Sequence, residues 1–172
     1  ALLVIFALLL SDDASVKALQ ESGELVVITR ESPTTLYQGS DGPAGPEYDY
    51  LKSYAEYLGV DLRLLFLKKN SQVLEAIAND EGHIAAAGMT FYPPLEQEGV
   101  VFGPGYQEVD IQVVCRRNNG KRPRNLDELS EVELVVVADS SNEARLFELQ
   151  NEYPDLSWDS DEDATVDELL QL

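Results

Sequence analysis

Three short runs combine the residue types that hold small polar molecules. SPTTLY (32–37) offers the Thr34 and Thr35 hydroxyls as donors and the Tyr37 ring as a wall for a ligand. AAAGMT (85–90) places Gly88, which lets backbone approach a ligand closely, two residues before the Thr90 hydroxyl. ADSSN (138–142) carries Ser140 and Ser141 at the expected start of a helix, where free N–H groups suit an anion. Asp139 beside them opposes an anion and favours an amine. Each run also has a bland reading: a Pro-initiated turn, a glycine required only by its turn, an ordinary helix cap. The candidate ligand-binding set is therefore Tyr37, Gly88, Thr90, Ser140 and Ser141.

No catalytic set and no cofactor or metal site is expected. His83 is the sole histidine and Cys115 the sole cysteine, which excludes multi-histidine and Cys/His zinc sites and any intrachain disulfide. His83 sits at a strand start and reads as structural, and Cys115 alternates with apolar neighbours and reads as buried in a strand. Asp159, Asp161 and Asp163 open a run like a calcium loop, but Ala164 stands where a glycine is needed and Leu170 where the bidentate glutamate is needed. That run reads as a solvated acidic turn. No G-x-S-x-G, P-loop or H-E-x-x-H motif is present.

Composition narrows the partners. The 172 residues hold 32 acids against 12 bases, a net charge of -20. Phosphate contacts need clustered Lys and Arg, so nucleic acid is excluded as a partner and an anionic membrane surface is disfavoured. Five of those bases nevertheless fall together, at Arg116, Arg117, Lys121, Arg122 and Arg124. Hydrophobic residues at 44% suffice for a core.

The elements that must position these residues alternate. Helices are expected at 14–22, closed by Gly23, and at 47–58, closed by Gly59. A third is expected after a Ser71 cap, a fourth after Ser140 or Ser141 and before Pro154, and a last one near Thr165. Strands are expected at 24–30, 60–67, 83–89, 111–117, 133–139 and 156–158, with a Pro/Gly loop over 31–47. The alternation predicts an α/β fold with mostly parallel sheets. Residues 1–10, ALLVIFALLL, are too few to span a membrane. They fit the apolar centre of a secretory signal or, alternatively, a buried strand or helix. Residues 1–13 are thus set apart as a signal remnant, 14–110 as a first lobe, 111–125 as a crossover strand and basic turn, and 126–172 as a partial second lobe.

The ordered set SPTTLY, GPEYDY, AAAGMT, FGPGYQ, KRPRNLDEL, VADSSNE and YPDLSW resembles the type 3 extracellular solute-binding family, the periplasmic amino-acid binders. It is similar, within that fold, to the N-terminal module of the membrane-bound lytic murein transglycosylase family. The resemblance implies a two-lobed periplasmic-binding-protein fold, with the second lobe truncated here. It implies a small-molecule ligand (an amino acid, a peptide or a muropeptide). It also implies an outer-membrane-associated parent protein acting on peptidoglycan through a catalytic domain expected to lie outside this chain. The Glu-Ser pair such a domain requires occurs only at Glu21-Ser22 and Glu31-Ser32, followed by Gly23 and Pro33, outside the required helical setting. A free-standing amino-acid receptor of an ABC transporter and a ligand-free structural lobe are the alternatives. Four positions depart from the amino-acid-binding pattern: Leu95 replaces the arginine that clamps a ligand carboxylate, and Pro46, His83 and Asp139 replace an aromatic, an Asp and a small residue.

Overall fold

A computed structural model describes residues 2–4, 6–7, 13–91, 100–116 and 122–171. It divides into two compact units, Ala1–Val109 and Asp110–Leu172.

The first unit is built on β3 (Glu24–Thr29), whose β-branched run forms the centre of a four-stranded sheet. β6 (Asp61–Phe66) and β7 (Ile84–Ala86) flank it, both parallel, with Val27 opposite both Leu64 and Ile84. β2 (Phe6–Ala7) adds antiparallel to β7. Strand alternation sorts β3 onto two faces. Leu25 and Val27 pack with Leu19 of α1 (Asp13–Ser22) and with Leu51, Ala55 and Leu58 of α2 (Pro46–Leu58). Ile28 packs on the other face with Val73, Leu74 and Ile77 of α3 (Asn70–Ala78). The unit is thus a mostly parallel sheet with helices on both faces, the α/β arrangement that the alternation predicts.

Helix ends follow local chemistry. Pro46 opens α2 with its fixed φ, and Gly59 ends it in the left-handed conformation at φ 73. Ser71 is not the cap of α3. The cap lies two residues earlier, at Lys69, whose N–H donates to Gln72 Oε1 at 3.1 Å. The expected loop over 31–47 contains a hairpin, β4 (Tyr37–Gly39) with β5 (Gly42–Ala44). A small antiparallel sheet joins β8 (Thr90–Phe91) and β9 (Gly105–Glu108) to β1 (Leu2–Val4), so the described parts of the apolar N-terminal run are strands.

The second unit pairs β10 (Val135–Val137) parallel with β11 (Asp159–Asp161). α4 (Ser141–Gln150) and the short α5 (Val166–Leu169) accompany them. Leu129, Leu146 and Leu156 form its core, edged by Leu134, Val136 and Trp158. The last strand lies at 159–161 rather than 156–158, because the register opposite β10 recruits Asp159–Asp161 while Leu156 turns into the core. The strand expected over 111–117 is absent: residues 111–116 are irregular and exposed, and Arg117 lies outside the described residues. Cys115 is correspondingly exposed, not buried, since among the described residues no sheet forms around it. Among the described residues no helix is long and apolar enough to cross a membrane.

Candidate functional site

In an open parallel sheet, ligands gather where strands end at their carboxyl side. In the first unit β3 ends at Thr29, just before Arg30, and β7 ends at Ala86, just before Ala87 and Gly88. The chain leaving β3 makes a tight turn: Thr35 N–H donates to Ser32 O at 3.2 Å, and Ser32 N–H to Leu36 O at 3.0 Å. The buried Thr35 hydroxyl donates to Arg30 O at 2.6 Å. Thr35 is therefore committed to the turn; the exposed Thr34 hydroxyl pairs with Ser32 Oγ at 3.1 Å.

Gly88 needs its glycine for two reasons. Its φ is 63, and a Cβ there would stand 2.8 Å from Thr35 Cγ2. Its N–H points at a carboxylate, with both Oε atoms of Glu47 at 3.2 Å. Tyr106 from β9 donates its hydroxyl to Glu47 Oε1 at 2.7 Å. Glu47 sits in the first turn of α2, where the helix dipole favours an acid, and is 0% exposed. One buried carboxylate thus ties α2, the β7 turn and β9 together. Burial pushes the Glu47 carboxyl above its ordinary value, opposed by the bonds from Tyr106 and Gly88 and by the Arg30 charge. The Tyr106 hydroxyl is raised in turn, by burial and then by Glu47.

Arg30 is half-buried beside them and donates Nε–H to Ala87 O at 3.4 Å. Burial lowers its pKa while Glu47 raises it. Of the expected site residues, Gly88 stands within this cluster. Thr90 follows it, half-buried on β8, and Tyr37 lies on β4 at 45% exposure. His83, the expected structural residue, bonds across to β3: Val26 N–H donates to His83 Nδ1 at 2.9 Å, and His83 N–H to Val26 O at 2.8 Å. Leu95 lies outside the described residues.

In the second unit, Ser140 caps α4. Its Oγ accepts from Glu143 N–H at 3.2 Å and donates to Val137 O at 2.6 Å. Ser141 opens the helix, half-buried. Asp139 adopts a positive φ of 53, and its N–H donates to Glu143 Oε2 at 2.8 Å. Glu143 also accepts from Trp158 Nε1 at 3.4 Å and from the Ser160 hydroxyl. The Ser140 hydroxyl, expected to face a ligand, is bonded within the fold. In the acidic run, Asp161 Oδ1 accepts from Asp163 and Ala164 N–H at 2.9 Å, and these bonds, that of Ala164 foremost, hold its carboxyl low. Among the described residues no group of His, Cys, Asp or Glu is arranged to hold a metal ion.

Sequence reasoning missed Arg30, Glu47 and Tyr106, which are far apart in the chain. The available signal was an acid directly after Gly45-Pro46, at a helix start beside the ligand-facing strand ends.

No family model matches the chain. Curated relatives do. It is 34% identical to membrane-bound lytic murein transglycosylase F of Saccharophagus degradans, over 92% of this chain and 31% of that protein. It is 40% identical to membrane-bound lytic murein transglycosylase F 1 of Alkalilimnicola ehrlichii, over 87% of this chain and 30% of that protein. With the Alcanivorax borkumensis protein the identity is 36%, over 100% of this chain and 37% of that protein. The chain thus spans about a third of the length of these relatives. Among solved structures it resembles a mutant of ArgBP from T. maritima (TM-score 0.74, 19% identity, 91% of this chain and 66% of that one). It also resembles the ancestral amino acid-binding protein AncCDT-1 (TM-score 0.75, 17% identity, 91% of this chain and 68% of that one). The chain is homologous to the N-terminal region of these transglycosylases and has the solute-binding-protein fold.

Proposed function

We propose that this chain is the ligand-sensing module of a membrane-bound lytic murein transglycosylase. It works in the periplasm, in a parent protein held at the outer membrane, and ligand occupancy regulates a catalytic domain carried elsewhere on the polypeptide. The observation that carries this reading is the occurrence of a solute-binding fold in a sequence similar to about a third of such enzymes. Its ligand is an amino acid, a peptide or a muropeptide, and peptidoglycan is the substrate of the parent protein.

The test is calorimetric titration of this chain with amino acids and muropeptides, beside release of 1,6-anhydro sugars from peptidoglycan by the full-length protein. Binding that changes the release rate is expected. Binding with no change in rate removes the regulatory role, and no heat with any ligand at millimolar concentration removes sensing.

A second reading, a ligand-free structural lobe, is favoured by one observation. The Gly88 N–H and the Ser140 hydroxyl already have partners inside the fold. The same titration separates the two.

A further inference from the structure

At the carboxyl ends of β3 and β7 most polar groups are spoken for. Gly88 N–H and the Tyr106 hydroxyl are held by Glu47, and the Thr35 hydroxyl by Arg30 O. Arg30 differs. Only its Nε donates, to Ala87 O, and among the described residues its two terminal nitrogens make no hydrogen bond and no ion pair. Glu47 is near enough to feel its charge, yet spends its oxygens elsewhere. A half-buried guanidinium with four idle N–H donors is costly unless an acceptor arrives. The single bond to Ala87 fixes the planar group at the strand end where this class of sheet binds ligands.

The acceptor that matches a guanidinium edge is a planar or tetrahedral oxyanion, a carboxylate or a phosphate, held by two parallel bonds. Charge decides between them. Glu47 already offsets part of the Arg30 charge, and the chain carries a net charge of -20. A monoanion is accommodated there more readily than a dianion.

We propose that Arg30 anchors the carboxylate of the small-molecule ligand. This rests on the ligand-sensing reading and adds the chemical class that the site selects.

The experiment titrates this chain with L-alanine, with D-alanyl-D-alanine, with the C-terminal amide of each, and with inorganic phosphate, then repeats the series on Arg30→Met and Arg30→Lys. The acids are expected to bind at least tenfold more tightly than their amides. Arg30→Met is expected to lose that preference, and Arg30→Lys to keep only part of it because an ammonium lacks the fork. The acid-against-amide comparison on the unmodified chain stands even if Arg30→Met fails to fold. Equal binding of acid and amide, or a preference that survives in Arg30→Met, overturns the anchor while leaving ligand sensing intact. Phosphate binding as tightly as the acids overturns the choice of carboxylate. No binding of any probe overturns the anchor and the sensing reading together.

Discussion

Glu47 shows how one buried acid ties separate elements together. Its carboxylate accepts from Gly88 and Tyr106 and lies near Arg30, so it fixes the backbone turn, one flanking strand and the field at the strand ends. Its pKa in the fold is raised above the unfolded value of about 4.3. Between those two values the folded chain keeps a proton that the unfolded chain has released. The stability this group confers is therefore fully present below the unfolded value and is lost as pH rises through the folded one. Glu47→Gln removes that segment of the pH dependence, because the amide oxygen still accepts but nothing titrates. Urea midpoints measured across mildly acidic pH on both proteins check this, and parallel curves would refute it. In a chain with 32 acids the one sequence signal for Glu47 was its place directly after Gly45-Pro46 at a helix start. Its partners lie 41 and 59 residues away, and only the folded sheet brings them together.

At the scale of elements, the entry to α2 is the tightest joint described. Gly45 has φ 140, and a Cβ on it would stand 2.4 Å from Thr35 O, a backbone atom that cannot yield. Gly45→Ala is expected to cost at least about 3 kcal/mol from the left-handed strain and the clash together. Chemical denaturation measures it, and a loss under about 1 kcal/mol would show that the turn after β3 relaxes freely. This joint was readable from sequence, since Gly-Pro before an amphipathic run and Gly59 after it are strong end signals. α1, α2, β3 and β6 were legible for similar reasons of period and punctuation. β4 and β5 were not, because Gly39, Gly42 and Pro43 read as loop and only the hairpin partner makes them strands. β11 failed the other way: Asp-Ser-Asp has poor strand propensity, and pairing with β10 overrides it. The apolar alternation of 111–116 promised a strand, but among the described residues no strand pairs with it.

Across the whole molecule, charge is distributed unevenly. Residues 126–172 contain 15 acids against one base, Arg145. The two units carry the same net charge, 16 acids against 6 bases each, but the second packs it into 63 residues against 109 and so has the denser self-repulsion that salt relieves, as the screening length falls from about 30 Å at 0.01 M to about 3 Å at 1 M. Trp158 is the sole tryptophan and edges the core of that unit, so its fluorescence reports the unit directly. Its urea midpoint is expected to rise with salt by more than that of the first unit followed through its tyrosines. Equal shifts would mean that the acids are spaced too widely to repel. The central position of β3 bears on how the polypeptide reaches this state. Both of its partners lie downstream, and the nearer, β6, ends only at Phe66. A chain emerging from its N-terminus holds the apolar run Leu25–Ile28 unpaired until some forty further residues have followed, because parallel neighbours demand long crossovers. During synthesis that run is an open template for other chains, and the interval is set by topology, not by the stability of the finished sheet.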